Sequence, residues 1–172
     1  MKLYILRHGE AADHGDRRYA SDAERPLTPK GVKRTRQLTN ALRQMDITFN
    51  VILTSPLVRA RQTAEIVARG LEREKHLRLT NHLSLSGAYV DLVAQIENAR
   101  PQAKAILIVG HEPHLSGLIS LLCTGGSSLG LTLKKGGLCR LELESAKPGR
   151  CASLEWLLTP RHFGPKRAAK SR

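Results

Sequence analysis

Aromatic side chains are scarce in this sequence: two Phe, one Trp and three Tyr in 172 residues. A core built from it must be aliphatic, and stacking platforms for single-stranded nucleic acid are poorly supplied. Long apolar runs are missing as well. No stretch approaches the roughly 20 residues of a membrane-spanning helix. The opening Met1-Lys2-Leu3-Tyr4 enters a strand pattern directly, without the order of segments that marks a signal peptide. A cytoplasmic protein is therefore expected. Cysteine is sparse and odd in number: Cys123, Cys139 and Cys151, far apart and with no Cys-x-x-Cys. That spacing gives neither a zinc knuckle nor a redox pair, and Cys123 and Cys139 sit in apolar surroundings as core thiols do. The Gly/Ser loop Thr124–Gly130 has no trailing Gly-Lys-Ser/Thr, so it is a connector and not a P-loop.

Acidic residues are outnumbered, and the formal net charge is +13. Arg161, Lys166, Arg167, Lys170 and Arg172 contribute +5 with no acid among them, which leaves +8 for the rest (13 − 5). Such a surface attracts anions of many kinds without choosing among them. A chain of this length and apolar content forms one domain with an adequate core. We expect that domain over residues 1–160 and a basic, disordered tail over 161–172, with loss of order beginning at Thr159.

Strand and helix patterns alternate along most of the chain. Leu3–Leu6 is a short buried strand. Thr28 followed by Pro29 is an N-cap and first-turn pair for a helix reaching Gln44, with Val32, Leu38, Leu42 and Met45 on its apolar side. A strand over Phe49–Thr54 leads into a helix over Leu57–Leu71, with Ser55 as its cap. A short strand over Leu77–Thr80, a helix over Tyr89–Asn98, a strand over Ala105–Val109 and a helix over Leu115–Cys123 follow. Leu138–Leu143 alternates apolar and polar, as a half-buried or edge strand does. Ala152–Leu158 is the last strand. The pattern predicts an α/β fold: a three-layer α/β/α arrangement around a mostly parallel sheet.

Two strand ends stand out. The first runs straight into Arg7-His8-Gly9, and the later one, Ala105–Val109, into Gly110-His111-Glu112. Sites in open α/β sheets form just past the carboxyl ends of strands. A strand followed by a polar turn is the plain reading of either stretch alone; two strand ends that each deliver a His point to chemistry. Arg59 lies in the first turn of its helix, where a cation is unfavourable unless an anion binds beside it.

With Ser55-Pro56-Leu57-Val58-Arg59-Ala60-Arg61-Gln62-Thr63-Ala64 between them, these stretches resemble the ordered motifs of the histidine phosphatase superfamily, which includes the cofactor-dependent phosphoglycerate mutases. The short length, Gly-His-Glu-Pro-His-Leu at 110–115 and Arg25-Pro26-Leu27-Thr28 resemble its compact SixA-type branch of phosphohistidine phosphatases. The resemblance implies His8 as nucleophile, Arg7 and Arg59 as clamps on the phosphoryl oxygens, and His111 as a further donor. It extends to Gly9, Arg25 and Glu112 as substrate-binding residues. It implies no metal and no cofactor.

One departure bears on substrate. Phosphomonoesterases of this family carry a Glu or Asp general acid after a middle strand, whereas the corresponding loop here, Asn81–Gly87, has no carboxyl group. A sugar alkoxide needs that proton on leaving; an imidazole leaving a phosphoramidate needs it less. Glu10, Asp13, Asp16 and Glu112 remain as other proton sources. The interval Asn81–Lys104 is also too short for the helical cap of larger relatives, so no cap subdomain and an open site are expected. These features favour hydrolysis of phosphohistidine on a protein such as a histidine phosphotransfer domain, rather than nucleic acid or a membrane span. The alternatives are a sugar-phosphate phosphatase of the same superfamily and a non-catalytic phosphoprotein-binding module.

Overall fold

The computed structural model describes residues 1–164. Ten principal elements follow in order: β1 (Lys2–Arg7), α1 (Pro29–Gln44), β2 (Val51–Thr54), α2 (Val58–Gly70), β3 (Leu77–Leu79), α3 (Tyr89–Ala99), β4 (Ala105–Gly110), α4 (His114–Thr124), β5 (Leu138–Leu143) and β6 (Ala152–Leu158). The six strands form one sheet in the order β3-β2-β4-β1-β5-β6. β1, β2, β3 and β4 pair in parallel, while β5 and β6 run antiparallel at one side. The sheet is thus mostly parallel.

Alternation of side chains along the strands divides the core into two layers. Leu3 and Ile5 of β1 face a cluster with Leu92 and Ile96 of α3 and Leu115, Leu118, Ile119 and Leu122 of α4. Tyr4 and Leu6 face the other way, toward Leu38 and Leu42 of α1 and Ala60, Ala64 and Val67 of α2. All of these are essentially buried. Each fully buried Leu or Ile contributes about 1.5–3 kcal/mol of apolar transfer. Most of the core is aliphatic, as the scarcity of aromatics implied, but the few aromatic residues join it: Tyr4 packs edge-on against Phe49 and Trp156, and Tyr89 and Phe163 pack at its margins.

The helix start at Thr28 forms as its chemistry predicts: Gly31 N–H donates to Thr28 Oγ1 at 3.0 Å, and Pro29 opens α1. Gly31 is required there, because a Cβ would lie 2.0 Å from the Glu10 carbonyl oxygen. The first turn of α1 is thereby pressed against the chain leaving β1.

Several expectations change. Met45 is exposed instead of joining the apolar side of α1. Ser55 does not cap α2, because Pro56 and Leu57 intervene and Leu57 takes the N-cap position. β6 is the edge strand; β5 lies inside, between β1 and β6, and of the two expected alternatives it is the half-buried one. Its polar alternation arises from partnership: Arg140 bonds Glu142 at 3.2 Å, and Glu142 accepts from the Met1 amine at 3.0 Å. Order also continues past Thr159. Pro160–His162 forms a 3-10 turn, closed by reciprocal bonds between Thr159 and His162, and Phe163 packs against the α1/α2 layer. The apolar ring of Phe163 anchors this piece. The remainder of the expected tail, 165–172, lies outside the described residues. No helix among the described residues is long and apolar enough to cross a membrane.

Candidate active site

Three adjacent strands end at one level of the sheet. Arg7 of β1 stands opposite Gly110 of β4, and Thr54 of β2 opposite Val109. The next residues are His8, Ser55 and His111. Backbone bonds extend the ladder past the strands, from His8 N–H to Gly110 O at 3.1 Å and from Ser55 N–H to Val109 O at 3.0 Å. The sheet therefore fixes the spacing of three side chains drawn from distant parts of the sequence, at the position where α/β sheets place their ligands.

His8 is 6% exposed. Its Nδ1 lies 2.7 Å from Gly9 O. A carbonyl can only accept, so Nδ1 carries the proton and Nε2 keeps its lone pair. Arg59 Nε–H donates to that Nε2 at 3.3 Å. Burial pushes the imidazole pKa down to about 3, with the nearby His111, Arg59 and Arg7 adding to the effect and the Gly9 carbonyl opposing it. The ring is neutral at physiological pH, as a nitrogen nucleophile must be.

Arg59 is itself buried, near the start of α2. Besides His8 it holds Asp22, through Nη1 to the backbone oxygen at 2.7 Å and Nη2 to Oδ2 at 2.9 Å. Arg25 grips the same carboxylate, with Nε 2.8 Å from Oδ1. Burial pulls the Asp22 carboxyl up, but the Arg25 hydrogen bond and the two guanidinium charges outweigh it and hold it below the usual carboxylate range.

Arg7 is held by a different partner. Nη1 donates to Leu133 O at 2.9 Å, while Nε is buried with no hydrogen-bond partner among the described residues. His111 is 1% exposed, and its ring centroid is 5.1 Å from that of His8. Its Nε2 lies 2.8 Å from Ser55 Oγ, and its Nδ1 is also buried without a partner among the described residues. Ser55 Oγ also accepts from Leu57 N–H at 3.3 Å, so the hydroxyl ties the start of α2 to the His111 ring. Burial, then the charge of Arg59, lowers the His111 pKa to about 4, against the pull of Asp22. A neutral imidazole thus stands beside two arginines and a second imidazole, and Arg7 Nε and His111 Nδ1 have no partner among the described residues. An oxyanion would supply the missing acceptor.

Comparison with known proteins places this geometry. The family model for the histidine phosphatase superfamily (branch 1) matches residues 3–84. An uncharacterized protein of Picosynechococcus sp. is 42% identical over 149 residues, which is 86% of this chain and 88% of that protein. Phosphohistidine phosphatase SixA of Escherichia coli K12 is 31% identical over 126 residues, covering 73% of this chain and 76% of the relative.

The chain belongs to the histidine phosphatase superfamily.

Within the superfamily it falls in the SixA-type branch. A solved structure of the protein histidine phosphatase SixA complexed with tungstate matches with a TM-score of 0.81, over 95% of this chain and 100% of that one, at 26% identity.

The remaining residues singled out in the sequence occupy this histidine phosphatase fold as follows. Gly9 has no unusual backbone angle. A Cβ there would meet Thr35 Oγ1 at 3.0 Å and Leu27 Cδ2 at 3.1 Å, so its smallness serves the packing of α1. Its N–H donates to Thr63 Oγ1 at 3.0 Å, which ties β1 to α2. Arg25 reaches the site through Asp22. The Glu112 carboxylate accepts from Leu133 N–H at 3.1 Å and from the Ser116 hydroxyl. It thereby fixes the segment whose carbonyl holds Arg7. Gly136, at φ +71, donates to both Arg7 O and His8 O, and this left-handed conformation favours glycine. Of the other acids, Glu10 pairs with Lys30 at 3.1 Å and Asp16 with Arg18 at 2.7 Å.

The space between β3 and β4 holds 3-10 turns and α3, which packs on the sheet, so the described residues include no cap subdomain. The site is nevertheless not open at its centre. The loop between β1 and α1 folds back until Asp22 stands on Arg59, and both histidines are buried. The sequence reading missed Asp22 and gave Ser55 the wrong duty. Asp22 did carry a signal: it stands three residues before Arg25, the spacing of an acid–base pair across one turn.

Proposed function

We propose that this phosphatase removes the phosphoryl group from a histidine-phosphorylated protein through a phosphohistidine intermediate on His8. The observation that carries the reading is the neutral Nε2 of His8, held by Arg59 and set near the charge of Arg7 and the ring of His111. In the first step Nε2 attacks phosphorus, the bond from phosphorus to the substrate imidazole breaks, and the leaving nitrogen takes a proton from solvent. Water then attacks the phosphoryl group on His8, the P–Nε2 bond breaks, and orthophosphate leaves. Arg7 and Arg59 compensate the charge on the phosphoryl oxygens in both steps.

Phosphohistidine is favoured over a phosphate ester by what surrounds the site. The Asn81–Gly87 loop brings no carboxyl group, and its neighbour Asp91 faces His82 at 3.9 Å. Asp22 is near, but its lowered pKa leaves it no proton to give at neutral pH. Relatives support the substrate class, since one is a phosphohistidine phosphatase by name. No step needs a metal ion, and no three His, Cys, Asp or Glu side chains cluster as a metal site among the described residues. We place the activity in the cytoplasm, in a phosphotransfer pathway, where the three unpaired cysteines stay reduced.

The test is phosphate release from a phosphohistidine-bearing protein beside a panel of sugar phosphates, with wild type and His8→Ala. Release from phosphohistidine, abolished in the variant, with an acid-labile phosphoryl group trapped on wild-type enzyme, is expected. Efficient turnover of sugar phosphates with none from phosphohistidine overturns the reading.

A further inference from the structure

A groove of about 590 Å³ opens from Arg7. Arg34 of α1, Lys134 and Lys135 of the segment before β5, and Arg161 of the last turn line it with Arg7, and no carboxylate does. Of these cations only Arg34 has a carboxylate partner among the described residues, Glu10 at 3.4 Å. We propose that this groove docks an acidic stretch of the phosphoprotein substrate, next to its phosphohistidine. The inference rests on the phosphohistidine reading above and adds what the enzyme recognises around the phosphoryl group.

Four observations carry it. First, Arg7 lines the groove and directly precedes His8 in the chain, so the groove borders the candidate site. Second, the backbone that carries its cations is held in place. Gly136 N–H bonds Arg7 O and His8 O, Arg7 N–H bonds Gly137 O at 3.1 Å, and Gly137 N–H bonds Lys134 O at 2.7 Å. The backbone bearing both lysines is therefore ordered before any partner arrives, which lowers the cost of binding. Arg161 sits on a turn closed by Thr159 and His162 and anchored by Phe163. Third, charge excludes occupants from this protein itself. The sequence after Gly164 adds Lys166, Arg167, Lys170 and Arg172 with no acid, and a second copy brings another net +13. Fourth, no aromatic side chain lines the groove, so single-stranded nucleic acid has nothing to stack on. Lys135 also borders a second cavity lined by Glu10, Asp13 and Asp16. That cavity also holds Arg18, and its Asp16 and Glu10 are already paired with Arg18 and Lys30, so it does not rival the groove for an acidic segment.

The experiment uses the full chain and three substrates: free phosphohistidine and two phosphohistidine peptides of equal length, one flanked by Asp and Glu, the other by Ser and Gln. The variants are Lys134→Glu/Lys135→Glu and Lys134→Ser/Lys135→Ser. Both keep the backbone bonds that hold Arg7. Wild type is expected to favour the acidic peptide in kcat/KM by about tenfold, and less at high salt. The Ser variant reduces that preference and the Glu variant removes it, through KM, while turnover of free phosphohistidine stays within about twofold. Equal rates on both peptides, or a preference that survives charge reversal, overturn the docking inference alone. So does duplex DNA that displaces the acidic peptide from wild type. Failure to hydrolyse any of the three overturns the phosphohistidine reading and this inference with it.

Discussion

Arg59 and Arg7 flank the same imidazole and are held in opposite ways. Each nitrogen of Arg59 has a partner: His8 on one, the Asp22 backbone and carboxylate on the others. Its charge is answered inside the protein, and a segment of loop lies over it. Arg7 has one bond to a neutral carbonyl, an idle Nε, and a groove of cations beyond it. Burial lowers the pKa of both. The difference lies in what answers the charge. A phosphoryl group arriving at Arg7 meets an unfilled donor, whereas at Arg59 it must compete with a carboxylate already there.

Removing either arginine tests whether both act on the reacting group. Arg7→Ala and Arg59→Ala are each expected to lower kcat about 100- to 1000-fold, the usual cost of one positioned donor in a charge-stabilising site. Steady-state kinetics on a phosphohistidine protein checks this, and the comparison breaks if one variant keeps wild-type turnover. A smaller effect tells what Asp22 is for. If Asp22 occupies a place that phosphate must take, Asp22→Asn binds tungstate several-fold more tightly than wild type, because one negative charge no longer competes. If Asp22 instead aims Arg59 at His8, the same variant binds tungstate more weakly. Titration calorimetry gives the sign, and we expect tighter binding.

The smallest effect is an absence of titration. Free histidine side chains gain a proton near pH 6.5. His8 and His111, held down to about 3 and about 4, stay neutral at pH 5. Nitrogen NMR of labelled protein checks this: two rings of the seven should keep neutral shifts at pH 5, with His114 also displaced downward. The corresponding stability has a definite sign. Both groups bind protons more readily when unfolded, so their contribution is full above about pH 6.5 and is lost as pH falls toward their folded values.

Much of this was readable in advance. Apolar runs ending in Arg7-His8 and Gly110-His111 located two strand ends, and Thr28-Pro29 located a helix start. Each is a local rule that tertiary structure had no reason to override. Ser55 was misread because local chemistry makes a Ser before a Pro a helix cap, and only the register of β2 beside β4 turns it toward His111. Asp22 escaped because its meaning lies in a contact across the chain, from a loop without periodicity to a helix. The order past Thr159 depends on Phe163 finding the core, whereas composition registers only Pro, Gly and positive charge there.

Placing His8, Ser55 and His111 at the ends of three hydrogen-bonded neighbours has a consequence for durability. Their separation is set by the strand spacing, about 4.8 Å, so it persists while the centre of the sheet persists. Heat inactivation should coincide with global melting, with no earlier local loss of the nucleophile. The segments around Asp22 and Lys134 lie outside the strands, yet they bond Arg59, Arg7 and His8. A change in either loop therefore reaches the histidines through the arginines and the backbone beside them, while the spacing set by the sheet stays as it is.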